Sequence, residues 1–234
     1  MKKIKILDWT IKDPLNCIGY CAGICWNSNV SVNQKNVKRA IQCILDGHGR
    51  VEELPDIYIT IEGFSAKCLR ELYTHIGGSP TRLQASTRYI NYSEGFNVIT
   101  PHSVSKNPEA LKIWDDTISH IGKSMKELKK LSIPNEDLTN LLPLAYESKM
   151  VWKINLRALI NFFNMRLCNR AYWEIRELSI LLREELSNYS EEWNTLSELF
   201  VPRCKALGYC VEKHSCGLKP SKSAVLGTLN NKGE

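Results

Sequence analysis

Between Asn155 and Arg166 the chain reads Asn-Leu-Arg-Ala-Leu-Ile-Asn-Phe-Phe-Asn-Met-Arg. Read as a helix, its apolar stripe of Leu159, Phe162 and Phe163 continues at helical spacing into Arg166, so a guanidinium falls where a core residue belongs. Burying a permanent cation is costly unless an anion or several acceptors meet it. On another face Arg157 and Asn161 can present donors to one ligand, with Asn155 near the helix start. A plainer reading stays open, in which Arg166 snorkels to solvent and the asparagines cap or bend the helix.

A second candidate is Thr81-Arg82-Leu83-Gln84-Ala85-Ser86-Thr87-Arg88-Tyr89, which follows the loop Gly77-Gly78-Ser79-Pro80. Hydroxyls, backbone N–H groups and arginine side chains are the donors that hold a phosphate, and the Gln84 amide can read a base edge. No Gly-Lys-Ser/Thr follows, so this is not a P-loop, and an ordinary polar connection is the alternative. A third cluster, Cys204, Cys210, His214 and Cys216, carries zinc-ligand chemistry within a short stretch. It has neither a Cys-x-x-Cys knuckle nor a His pair, and cysteines packed as small apolar groups account for it as well, so no metal is assigned.

These residues need elements to position them. Ile57 to Ile61 is β-branched and aromatic, a strand that Gly63 should end. Ser65 is an N-cap for a helix over Ala66 to His75, which would put His75 at a helix C-terminus beside the glycine loop. From Pro108, the residues Leu111, Trp114, Ile118, Ile121, Met125 and Leu128 recur at helical spacing and predict a long amphipathic helix. Further helix is expected from Asn155 to Asn188, bent or broken near Asn169, and from Glu191 to Phe200. A few strands among dominant helices make an α+β fold. Residues 1–217 are read as one domain and 218–234, with Lys219, Lys222 and Lys232 among small residues, as a flexible tail.

Composition narrows the function classes. The 234 residues are 43% hydrophobic and carry a formal net charge of +6, which suits a globular protein that binds small anions. Basic residues do not cluster as in nucleic-acid readers, and no reader motif is present, so no nucleic-acid partner is expected. No apolar run reaches the roughly 18 to 20 residues that span a bilayer, and no signal core follows Met1, so a cytoplasmic protein without a membrane partner is expected. The odd count of nine cysteines fits reduced thiols better than a disulfide framework.

The two arginine-bearing segments together resemble the signature regions of the flavin-dependent thymidylate synthases. Thr74-His75-Ile76 followed by Ser86-Thr87-Arg88-Tyr89 resembles that family's Arg-His-Arg motif and its Ser-x-Arg-Tyr element. Asn155, Arg157, Asn161 and Arg166, followed by Ala171-Tyr172-Trp173-Glu174-Ile175-Arg176, resemble its Asn-x-Arg-x-x-x-Asn stretch. The resemblance runs from about Cys21 to Leu186. It implies reductive methylation of dUMP to dTMP with FAD, NADPH and methylene-tetrahydrofolate, by a homotetramer whose sites draw on more than one subunit. His75, Asn155, Arg157 and Asn161 would contact FAD, and Glu53, from His48-Gly49-Arg50-Val51-Glu52-Glu53, would lie near the flavin. Gln84, Ala85, Ser86, Thr87 and Arg88 would line the nucleotide site, Ser86 and Arg88 near its phosphate, and Arg166 would face the pyrimidine as the catalytic cation.

The departures are specific. Thr74 and Ile76 replace the two arginines that flank the motif histidine, and the stretch from His75 to Ser86 is two residues longer than the usual pattern. Glu71 stands where a nucleotide-binding Gln is typical, and Thr139 where another Arg is typical. Each missing charge-assisted bond is worth about 1.5 to 3 kcal/mol, so Arg82 and Arg70 are the expected compensators. A related uracil nucleotide such as UMP, another C5 modification, or a weakened homologue that only binds flavin or nucleotide remain as alternatives.

Overall fold

The computed structural model describes residues 2–78 and 80–230. Four strands, β1 (Lys3–Ile6), β2 (Asp56–Ser65), β3 (Thr81–Gln84) and β4 (Glu147–Asn155), form one antiparallel sheet in the order β1-β2-β4-β3. The helices are α1 (Pro14–Cys25), α2 (Asn33–Leu45), α3 (Ala66–Leu72), α4 (His102–Ser105), α5 (Pro108–Lys130) and α6 (Asn135–Leu138) in the first part of the chain. They continue as α7 (Leu156–Arg166), α8 (Trp173–Tyr189), α9 (Glu191–Leu196), α10 (Arg203–Leu207) and α11 (Lys222–Asn230). The helix-dominated α+β fold expected from the sequence is therefore the one that forms. Ser79 and Lys232 lie outside the described residues.

The chain divides into two compact units, with the division falling inside each of the four strands. The first contains Thr60–Thr74 and Arg82–Val151. Strand β2 outruns its predicted end, because Gly63 adopts φ +78° and lets the backbone bend without stopping; strict alternation of buried and exposed residues is lost there. Ser65 then caps α3 as expected, its hydroxyl accepting from the Cys68 N–H at 3.0 Å. The helix closes at Leu72 and not at His75, where Tyr73 and Thr74 turn back with their N–H groups on the carbonyls of Arg70 and Glu71. Helix α5 starts at Pro108 under an Asn107 cap, yet only Met125 of its apolar stripe is buried, while Leu111, Trp114, Ile118, Ile121 and Leu128 are half-covered. Thr81–Gln84 is a correction to the sequence reading: a strand occupies what was read as the start of a polar loop, with the Ala85 N–H donating to the Lys149 carbonyl at 2.9 Å.

The second unit contains Ile4–Ile59, His75–Thr81 and the chain from Trp152 onward. Its core is aromatic: Phe162 meets Trp152 edge-on at 5.2 Å and Phe163 at 5.5 Å, and Phe163 stacks on Phe200 at 4.5 Å. The helical stretch after Asn155 breaks between Arg166 and Trp173, as the sequence predicts near Asn169. The region after Gly217, expected to fray, carries the helix Lys222–Asn230. Helices α1 and α2 approach through small residues, and a Cβ on Gly19 would lie 1.8 Å from the Asn36 carbonyl oxygen. Asn36 is buried and donates to Asn16 Oδ1 and the Val30 carbonyl, while Arg39 bridges the Gly19 carbonyl and Asn36 Oδ1 at 2.8 Å each. The bare N-terminus of α1 is capped from afar, since Glu192 Oε2 accepts from the N–H groups of Leu15 at 2.6 Å and Asn16 at 3.0 Å.

Gly19→Ala must push α2 away and disrupt the Asn36 network, so it should cost about 3 kcal/mol or more. Gly122→Ala, in α5, meets nothing within 4 Å and should stabilise by about 0.5 to 1 kcal/mol through helix propensity. Urea midpoints of the two variants check both signs; equal midpoints would contradict the close approach of the two helices.

Candidate active site

Helix α7 sorts its residues by face. Leu156, Ala158, Leu159, Phe162 and Phe163 are buried, whereas Arg157, Asn161 and Met165 form an exposed row at four-residue spacing. Asn155 is committed to the helix itself, for its Oδ1 accepts from the Ala158 N–H at 2.9 Å, the capping role left open by the sequence. Its Nδ2 also reaches the Gly78 carbonyl at 3.5 Å.

Arg166 ends the apolar stripe half-buried, and Nε donates to His75 Nε2 at 2.9 Å. His75 is buried and packs edge-on against Phe162 at 5.0 Å. Since a guanidinium can only donate, the imidazole nitrogen facing it is unprotonated, and a neutral His75 carries its proton on Nδ1. The acceptor demanded by a cation on the apolar face is thus a histidine from the motif assigned to the flavin. The pattern of α7 alone did not show this, because the two residues are far apart in sequence.

A cleft of about 360 Å³ lies beside α7, lined by Glu53, Gly77, Gly78, Asn155, Arg157, Ala158 and Asn161. Four of the five residues that resemblance assigned to FAD therefore share one cavity, whereas His75 does not line it and is bonded to Arg166. Arg157 Nη1 pairs with Glu53 Oε1 at 2.5 Å, and the carboxyl of neighbouring Glu52 is pushed up by burial and partly pulled back by Arg157. The sequence reading missed the glycines as site residues, having taken them only as helix breakers. Gly78 has φ +72°, and a Cβ there would lie 2.5 Å from Asn155 Nδ2, so only glycine fits. The donors of Arg157 and Asn161, with glycine backbone free of side chains, suit the phosphates of a dinucleotide cofactor.

Apart from Arg166, the residues assigned to the nucleotide lie in the first unit. Gln84 Nε2 donates to Ser148 Oγ at 3.3 Å, and Gln84 and Ala85 line a second cleft of about 350 Å³ with Thr60, Glu62 and Lys149. Ser86 Oγ accepts from the Arg88 N–H at 3.2 Å, a local turn that orders the hydroxyl. The Arg88 guanidinium pairs with Glu136 at 2.8 Å in an exposed bridge. The Thr87 carbonyl accepts from Thr139 Oγ1 at 3.2 Å, so the residue in place of a typical arginine serves the backbone of the same turn. Glu71 offers its carbonyl to Thr74 Oγ1 at 2.7 Å. Arg82 lies over the Tyr73 ring at 5.1 Å, and burial draws its guanidinium below the usual range.

The third cysteine-bearing cluster changes membership. Cys168, Cys204, Cys210 and Cys216 line one further cleft, whereas His214 is exposed and does not. Among the described residues no helix is long and apolar enough to cross a membrane.

In fold the protein matches two solved pyrimidine-nucleotide enzymes. The UMP/dUMP methylase PolB from Streptomyces cacaoi, bound with 5-Br dUMP, superimposes with a TM-score of 0.69 at 13% identity, over 86% of this chain and 94% of that one. Thymidylate Synthase X from Helicobacter pylori, with FAD and dUMP, gives 0.60 at 19% identity, over 86% and 97%. A family model described as thymidylate synthase complementing protein matches residues 5–189, and a flavin-dependent thymidylate synthase of Pyrococcus abyssi is 34% identical over 230 residues, 91% of each chain. The chain belongs to the flavin-dependent thymidylate synthase family.

The Arg157 to Glu53 pair is solvent-facing, so Arg157→Ala should cost less than about 1 kcal/mol of stability. Its guanidinium favours the ionised carboxyl of Glu52. The loss should therefore be largest near neutral pH and shrink as the pH falls and the Glu52 carboxyl protonates. Denaturant midpoints measured across that range check the sign, and a loss independent of pH would contradict it.

Proposed function

We propose that the protein is an FAD-dependent thymidylate synthase that methylates dUMP at C5, with methylene-tetrahydrofolate as carbon donor and NADPH as reductant. The observation that carries this reading is the cleft on α7, where Glu53, Asn155, Arg157 and Asn161 converge with the Gly77-Gly78 backbone. Family membership supplies the reaction class. Bound there, FAD would supply the redox chemistry that completes the methyl group. Arg157 and Asn161 hold its anionic and polar groups, and Asn155 fixes the start of the helix that presents them.

Arg166 has the electrostatic role. Its guanidinium stabilises negative charge on the N3/O4 side of the pyrimidine, which makes C5 nucleophilic without a cysteine adduct. His75 orients it by accepting from Nε. Ser86 and Arg88 bind the nucleotide phosphate, with Arg88 exchanging Glu136 for it, and Gln84 contacts the base or sugar. Arg82 replaces one of the missing motif arginines. Ser86 is a binding residue in this scheme, not a nucleophile.

Assembly as a homotetramer accounts for α5. Its stripe of Leu111, Trp114, Ile118, Ile121 and Leu128 is only half-covered within the chain, and a second copy would remove the rest from water.

The purified protein should be yellow, should reoxidise flavin on addition of dUMP and methylene-tetrahydrofolate, and should restore growth to a thymidine auxotroph. Colourless protein that fails to take up added FAD would overturn the reading; turnover of UMP in place of dUMP would correct the substrate alone. Arg157→Ala should lose FAD. Arg166→Lys should keep FAD and fold yet lose most turnover, because a point charge on a flexible stem cannot replace a planar fork held by His75. Arg82→Ala should weaken dUMP binding about tenfold or more, read by calorimetry, and unchanged affinity would remove Arg82 from the site.

A further inference from the structure

Four cysteines from two distant parts of the chain meet in one cleft of about 250 Å³. Cys168 follows the end of α7, Cys204 lies in α10, and Cys210 and Cys216 come from the connection between α10 and α11. All four are free thiols, and Cys168, Cys210 and Cys216 lie near enough to Cys204 to act on it electrostatically. From the sequence, His214 was the fourth member of this set; the fold replaces it with Cys168.

Three further observations distinguish this cluster from cysteines packed as small apolar groups. Between Val201 and Ser221 the only buried side chains are Cys204 and Cys210, so this stretch has almost no hydrophobic core of its own. It nevertheless adopts a defined path, with Gly208 at φ +80° closing α10, Gly217 at φ +85°, and the Cys210 N–H bonded to the Pro220 carbonyl at 2.7 Å. A segment this poor in apolar burial needs a staple.

The surroundings suit thiolates. The Arg170 N–H approaches Cys168 Sγ at 3.5 Å, and Asn169 Nδ2 approaches Cys216 Sγ at 3.7 Å, the N–H to sulfur contacts that orient thiolate ligands. Arg166, Arg170, Arg203 and Lys219 also line the cleft, against the single acid Glu212. A tetrathiolate site around a divalent ion carries a net charge of −2, and this cationic lining compensates it.

We propose that Cys168, Cys204, Cys210 and Cys216 bind one structural zinc ion, which anchors the α10 to α11 segment to the end of α7. Among the described residues no three potential ligands already stand at metal-binding spacing, so binding draws the thiolates inward and closes the cleft. Four sulfur ligands in tetrahedral array select zinc over harder cations, and a site with all four positions filled has no vacancy for substrate. The ion's role is to hold the turn that carries Arg166, which lines the same cleft.

The full-length protein, purified under reducing conditions, should contain about one zinc per chain by elemental analysis. Cys168→Ser and Cys210→Ser should each lose most of it, while His214→Ala and Cys25→Ser should keep it. Cobalt(II) exchanged into the wild-type chain should give thiolate charge-transfer bands and tetrahedral absorption to the red of the flavin, which tests the site even if a cysteine variant misfolds. Chelation should expose the bonds after Lys205 and Lys213 to trypsin. Absence of zinc together with absence of thiolate-bound cobalt overturns the proposal. So does iron in its place, a disulfide between any two of the four found by mass spectrometry, or loss of zinc in His214→Ala with retention in Cys168→Ser.

Discussion

Burial of one face of α7 is the constraint from which the cofactor side of this protein follows. Leu159, Phe162 and Phe163 are removed from water, and Phe162 and Phe163 are locked between Trp152, Phe200 and the His75 ring. Burial of a Phe side chain contributes on the order of 1.5 to 3 kcal/mol, which outweighs any single polar contact of the exposed face. Once that face is fixed, helical periodicity leaves no freedom for the rest. Arg157 and Asn161 must point into the cleft, and Arg166 must arrive beside the buried imidazole. The site is thereby held in place by packing.

The same economy explains why His75 can serve two ends. Its ring is an apolar wall for Phe162 and a hydrogen-bond acceptor for Arg166. A neutral imidazole there costs less to bury than a second charge would. Replacement of the flanking motif arginines by Thr74 and Ile76 removes two cations from this neighbourhood, and Arg166 keeps its acceptor regardless. In the other unit, Arg82 rests on the Tyr73 ring, and Thr139 ties down the Thr87 carbonyl in the turn that bears Ser86 and Arg88.

Close approach at glycine recurs where the structure is least tolerant. Gly19 admits the backbone of α2 at Asn36, and Gly78 admits the Asn155 amide beside the α7 cleft. The first supports a buried polar network between helices, the second a cap that begins the site helix. In both places an added methyl group would meet polar atoms that have no alternative position, and backbone geometry matters more than side-chain chemistry.

Much of this was open to the sequence, because local rules govern it. The Ser65 cap, the amphipathic α5, the break after α7, and the shared face of Arg157 and Asn161 each follow from periodicity or capping within a few residues. The errors were local too: Gly63 was read as a stop when its positive φ only bends β2, and Thr81–Gln84 was read as loop because an edge strand needs no strong pattern of its own. Other features required the tertiary structure, since they join residues with no sequence relation. Nothing near Arg166 predicts that His75 accepts a hydrogen bond from its Nε, and nothing in Glu53 predicts Arg157 as its partner. Cys168 likewise gives no sign that it stands with Cys204, Cys210 and Cys216, while His214, grouped with them by nearness in sequence alone, is exposed. Periodicity assigns a side chain to a face, but only the packing of one element on another decides what that face meets.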